Sequence, residues 1–131
     1  MLKDTAFQMA ASNIRFGRGI TDELGMDLVA MDVRRTMVVI DPALVSLPAG
    51  ETVLASLEEN GIYYQVFDAV SVEPTDSSFK AAAEFAVSGN FDSVVAVGGG
   101  STIDTAKAAN LYSTYPADFF DYVNAPIGKG L

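Results

Sequence analysis

Three short apolar runs recur along the chain with helix-spaced segments between them. The first, TMVVI at Thr36 to Ile40, shows no polar and apolar alternation, as expected of a strand buried on both faces. YYQVF at Tyr63 to Phe67 and DSVVAV at residues 92 to 97 are the second and third strand candidates. Between the first two, in GETVLASLEENG at residues 50 to 61, Val53, Leu54 and Leu57 share a helical face and Gly61 supplies a stop. Before the third strand, PTDSSFKAAAEFAVSG offers Pro74, a cap at Thr75 or Asp76, and a stripe of Phe79, Ala82, Ala83 and Ala86 ahead of Gly89. A further helix runs from Ser101 to Leu111. Upstream, Leu24 and Leu28 place a helix over Thr21 to about Val29, and residues 5 to 15 read as an extra edge strand.

The order is β-α-β-α-β-α. Strands joined by helices of this length need crossover connections, so the predicted fold is α/β, a Rossmann-like open parallel sheet with helices on both faces. At 131 residues the chain is a single domain, 1–131. The last stretch, YPADFFDYVNAPIGKGL, differs in character. Prolines and glycines interrupt it, yet Phe119, Phe120, Tyr122 and Val123 are too apolar to stay in solvent. Their cover is the body of this domain, a second copy in a homo-oligomer, or protein that this chain does not contain.

Composition narrows the chemistry mainly by exclusion. Seventeen acidic residues against eight basic ones give a formal charge of -9, which repels nucleic-acid phosphates and anionic membranes unless a basic cluster intervenes. Arg34-Arg35 is the only adjacent basic pair. With no cysteine and no histidine, the chain has no thiol nucleophile, no imidazole base and no Cys- or His-ligated metal site. No apolar stretch approaches the roughly 18 residues of a membrane span, and the first twenty residues lack the apolar centre of a secretory signal. These features predict a soluble cytoplasmic protein.

The candidate site lies in VVAVGGGSTIDTAKAANL, residues 94 to 111. Gly98, Gly99 and Gly100 follow a strand and open a helix, at the carboxyl edge where open α/β sheets bind ligands. Bare backbone admits close approach, and the unpaired amides and dipole of the helix start favour an anion. Ser101 can cap the helix or donate to a phosphate oxygen. A second reading needs no ligand: a tight turn, with Ser101 and Asp104 at capping-box spacing and Lys107 paired with Asp104. The segment lacks the lysine placement of a Walker loop, and it follows the third strand candidate rather than the first. Asp41 ends the first strand, where a carboxylate can accept from the hydroxyls of an adenosine ribose and repel a 2′-phosphate. Asp41-Pro42 is equally a turn starter.

GGGSTIDTAKAANL followed by DFFDYVNAPIGKG, with FGRGITDELG and VVIDPAL upstream, resembles the N-terminal, nucleotide-binding part of the iron-containing (group III) alcohol dehydrogenases, in particular their hydroxyacid-oxoacid transhydrogenase branch. The resemblance spans roughly residues 13 to 130. It implies an NAD-dependent oxidoreductase with Gly98, Gly99 and Gly100 in the cofactor-binding loop, where Gly99, Gly100 and Ser101 hold the pyrophosphate. Asp41 then faces the adenosine ribose, Asp104 lies beside the glycine loop, and Glu73 to Thr75 (EPT) forms another loop at the nucleotide edge. Family members continue into a helical domain where an aspartate and three histidines hold iron or zinc. That domain is absent from this sequence, so the resemblance implies a partial polypeptide without catalytic residues of its own. In a full-length protein the implied reaction is reversible hydride transfer between NAD and a small alcohol or hydroxy acid, in the transhydrogenase branch from 4-hydroxybutanoate to 2-oxoglutarate. A nucleotide-binding module and a structural α/β domain without activity are the alternatives.

Overall fold

The computed structural model describes residues 12–131. Seven regular elements alternate along it: α1 (Leu24–Ala30), β1 (Arg35–Ile40), α2 (Pro48–Glu59), β2 (Tyr63–Phe67), α3 (Asp76–Gly89), β3 (Ser93–Val97) and α4 (Gly100–Thr114). The three strands form one sheet in the order β2-β1-β3. Both pairings are parallel, with Thr36 opposite Tyr64 on one side and Ser93 on the other.

The apolar run of β1 becomes the centre of the molecule. Met37, Val38, Val39 and Ile40 are fully buried, each worth roughly 1.5–3 kcal/mol of transfer free energy. Because successive side chains point to opposite faces, Val38 and Ile40 join Leu28, Val53 and Leu57 of α1 and α2. Met37 and Val39 join Ala82, Ala86, Ala106 and Ala109 of α3 and α4. Helices therefore cover both faces, as the missing alternation requires. The alanines let α3 and α4 lie close to the sheet.

Local signals set the element ends. Pro48 takes the first turn of α2, two residues before the predicted start. At its other end Gly61, at φ +69°, donates to Glu58 O while Ile62 donates to Leu57 O, the paired bonds of a Schellman stop. The same geometry closes α1, but there Asp32 occupies the left-handed position at φ +59°. Thr75 caps α3: its hydroxyl accepts from Ser78 N at 3.2 Å, and the Ser78 hydroxyl accepts from Thr75 N at 2.9 Å. The N-terminal helix begins as a 3-10 turn over Ile20–Glu23. Of the edge strand expected over residues 5 to 15, residues 5 to 11 lie outside the described part, and residues 12 to 15 form no strand.

The aromatic tail finds its cover largely within this domain. The Tyr112 ring of α4 stacks on Phe119 with centroids 5.5 Å apart and meets Tyr122 edge-on at 5.1 Å. Its hydroxyl donates to Phe119 O at 2.6 Å. Burial against these rings pushes the Tyr112 phenol pKa up. Lys129 pairs with Asp121 at 2.6 Å, and the main-chain N–H groups of Lys129 and Gly130 donate to Phe120 O and Val123 O. Phe119, Tyr122 and Val123 end half-buried, leaving Phe120 exposed. The basic pair also has structural work: Arg35 lies 4.1 Å over the Tyr63 ring, and the Asp92 carboxylate accepts from the amides of Arg34 and Arg35.

Candidate functional site

With β1 central, the chain leaves β1 toward β2 and returns past it to β3. The carboxyl ends of β1 and β3 therefore flank the point where connections diverge, the position at which open α/β sheets leave a crevice. Asp41 and the glycine loop occupy its two sides. Asp41 N extends the ladder by donating to Val97 O at 3.0 Å. Between them lies a cleft of about 150 Å³ lined by Asp41, Pro42, Val70, Val72 and residues 99 to 102.

Gly98 has a different task from the two glycines after it. A Cβ on Gly98 would sit 2.4 Å from Thr102 Oγ1, and its φ is +156°. Thr102 is itself buried beneath the loop, so Gly98 shapes the turn and faces a separate groove beside β3. At Gly99 and Gly100 an added Cβ would meet nothing within 4 Å. Packing does not demand glycine there, whereas close approach of a ligand to the backbone would.

The helix start is organised differently from the capping box allowed by the sequence. Gly99, not Ser101, is the N-cap of α4, and no side chain caps this end. The first-turn amides of Gly100, Ser101 and Thr102 have no acceptor one turn back, and no acidic residue occupies that turn. The Ser101 hydroxyl instead crosses the cleft and donates to the main-chain carbonyl of Val72. Asp104 pairs with Lys107 at 3.9 Å on the solvent side of α4, as the i,i+3 spacing suggested. It lies outside the residues that line the cleft.

Asp41 takes the turn-starting role, its carboxylate accepting from Ala43 N at 2.9 Å, and stands at the cleft's edge. Across from it, Val70 and Val72 rather than Glu73 to Thr75 supply the wall from the loop between β2 and α3; Thr75 is committed to capping α3. Sequence reasoning missed Pro42, Val70, Val72 and Thr102. Only Thr102 left a trace, four residues after a glycine and on the buried face of α4.

The geometry suits an anion such as a pyrophosphate: unpaired amides, a helix dipole and open space over two glycines, with a carboxylate across the crevice. It does not fit a metal. Among the described residues no group of three histidine, cysteine, aspartate or glutamate side chains could hold one. A larger hollow of about 830 Å³ lies between α3 and the tail. No α-helix start lines it, and its lysines, Lys80 and Lys129, already pair with Asp76 and Asp121.

Comparison with known proteins bears on the same segment. The family model for iron-containing alcohol dehydrogenase matches residues 11–130. The mitochondrial hydroxyacid-oxoacid transhydrogenase of Bos taurus is 59% identical over 128 residues, covering 97% of this chain and 28% of that protein. The chain thus spans little more than a quarter of that relative's length. Among solved structures, NADH-dependent butanol dehydrogenase A from Thermotoga maritima superposes with a TM-score of 0.74 at 26% identity, over 83% of this chain and 30% of its own. Sulfoacetaldehyde reductase from Bifidobacterium kashiwanohense, solved in complex with NAD+, gives a TM-score of 0.76 at 27% identity, over 86% and 29%. The cytoplasmic location predicted from composition is corrected here: the transhydrogenases of cattle, human and Dictyostelium discoideum are all named as mitochondrial. Composition and charge describe a folded domain, whereas an organelle address is carried by a separate segment read by import receptors. No helix among the described residues is long and apolar enough to cross a membrane. A family match over residues 11–130, sustained by relatives across the same span and by the fold itself, shows that this chain belongs to the iron-containing alcohol dehydrogenase family.

Proposed function

We propose that the chain is the nucleotide-binding domain of an NAD-dependent alcohol dehydrogenase or hydroxyacid-oxoacid transhydrogenase, acting in mitochondria. The observation that carries this reading is the uncapped start of α4 facing Asp41 across the sheet's switch point. The amides of Gly100, Ser101 and Thr102 receive the pyrophosphate, with Gly99 leaving room above the backbone. The Asp41 carboxylate accepts from the ribose hydroxyls and disfavours a 2′-phosphate by like charge. Asp104 contributes negative charge near the glycine loop rather than a contact, since it is engaged with Lys107. Gly98 acts through the shape of the turn.

NAD, when bound, supplies the hydride acceptor for the alcohol carbon of a small alcohol or hydroxy acid. This chain's part is to hold the cofactor's adenosine and pyrophosphate so that its other end is presented away from the sheet. Iron or zinc belongs with a histidine-bearing part of a full-length protein, and residues 1–131 alone do not turn over substrate. Titration of the purified chain with NAD and NADP, followed by calorimetry, tests the assignment. Binding of NAD at least about tenfold tighter than NADP is expected, and Asp41→Gly should bring the two together. Equal affinities before mutation would remove Asp41 from the site. Metal-dependent NADH formation from 4-hydroxybutanoate by these residues alone would show a catalytic site that the reading lacks.

A further inference from the structure

The bond from Ser101 to Val72 O joins the two walls of the cleft, the first turn of α4 and the loop between β2 and α3. The α4 side is the fixed wall. Thr102 is buried under Gly98, and the Thr105 hydroxyl donates to Ser101 O at 2.8 Å. The opposite wall is held less firmly. Val72 is 89% exposed, so burial of its side chain does little to fix the loop. The loop's ends are anchored by the buried Phe67, by Val70 packed against the same core cluster, and by the Thr75 cap, which confines motion to residues 71 to 74.

Two constraints then meet at Ser101. With the walls joined, the cleft holds about 150 Å³, whereas sites that enclose small ligands measure roughly 300–1,000 Å³. A serine hydroxyl also has only one proton to donate, so it serves the Val72 carbonyl or a phosphate oxygen, never both. We propose that the Ser101–Val72 bond is a latch: it holds the β2–α3 loop against the glycine loop and must break before a dinucleotide enters. Breaking it widens the cleft and frees the hydroxyl for the pyrophosphate, while the Val72 carbonyl, on an exposed loop, turns to water. This rests on the nucleotide reading of the cleft. It adds a role for Ser101 as a positioning residue acting through the main chain of Val72.

Backbone 15N relaxation on the whole chain without nucleotide, in wild type, Ser101→Ala and Ser101→Thr, reads the latch directly. Loss of the bond should lower the order parameters of the amides of Ser71, Val72 and Glu73 from the rigid range, about 0.85, to the flexible one, below about 0.6, in Ser101→Ala. Ser101→Thr, which keeps the hydroxyl, should restore them. In stopped-flow mixing with NADH, Ser101→Ala should both associate and dissociate faster. A residue that only touches phosphate would change dissociation alone, so unchanged loop order parameters together with an unchanged association rate overturn the latch. Order parameters that fall in Ser101→Ala while none of the three proteins binds NADH would keep the restraint and overturn the nucleotide reading.

Discussion

Gly98 is the position where local geometry leaves least choice. A methyl group there meets Thr102 Oγ1 at 2.4 Å, and Thr102 has no solvent side to move toward. Gly98→Ala should cost about 1–3 kcal/mol in denaturant unfolding and weaken nucleotide binding with it. Adding Thr102→Ala should return part of the loss, and strict additivity of the two would contradict the contact. Asp32 presents the opposite case: a left-handed residue at φ +59° that is not glycine. Asp32→Gly should stabilise by about 0.5–1 kcal/mol, measured by the same unfolding curve. Asp41 and the glycines were legible in the sequence because strand ends and bare backbone announce themselves. Val70 and Val72 were not, because the path of an irregular loop back over a cleft leaves no periodic mark. Ser101 was legible as a polar group at a helix start, but its partner was not.

Elements were read more completely than the contacts between them. All three strands and their parallel order follow from apolar runs separated by helical spacing, and the run in β1 announces its burial on both faces. Ser56 shows what pattern could not reveal. On the inner face of α2, its hydroxyl accepts from Gly25 N at 2.9 Å and donates to Asp22 O at 2.7 Å, tying α2 to the start of α1. Ser56→Ala strands a buried donor and should cost about 1–3 kcal/mol. At the exposed start of α3, by contrast, Thr75→Ala loses only a cap and should cost about 1 kcal/mol. A Ser56→Ala cost no larger than that of the cap would show that the α1–α2 tie is unimportant.

At the scale of the molecule, the sheet's strand order turns separate residues into one site. Asp41 and Gly99 are 58 positions apart in sequence and meet only because β3 returns beside β1. The tail also closes at this scale. Its aromatic residues looked uncovered because pairing with Tyr112 depends on how the chain folds back after α4. On the other face of the sheet, the phenol of Tyr64, which donates to Glu58 at 2.6 Å, has its pKa raised chiefly by that bond, as burial raises that of Tyr112. Both shifts favour the protonated form in the folded state. Their stabilisation is therefore complete below the unfolded tyrosine pKa, about 10, and is lost as pH rises through the folded values. Tyr64→Phe should flatten the alkaline limb of a stability-against-pH curve, and an unaltered limb would assign it elsewhere. The central claim is that the cleft between Asp41 and the start of α4 is where a nucleotide binds, and an amide-resolved NMR titration of the chain with NAD+ tests it most directly. The largest shifts should fall on residues 99 to 102, on Asp41 and Ala43, and on Val70 and Val72. Saturable shifts centred instead on the hollow between Lys80 and Lys129, with the glycine loop unmoved, would contradict it.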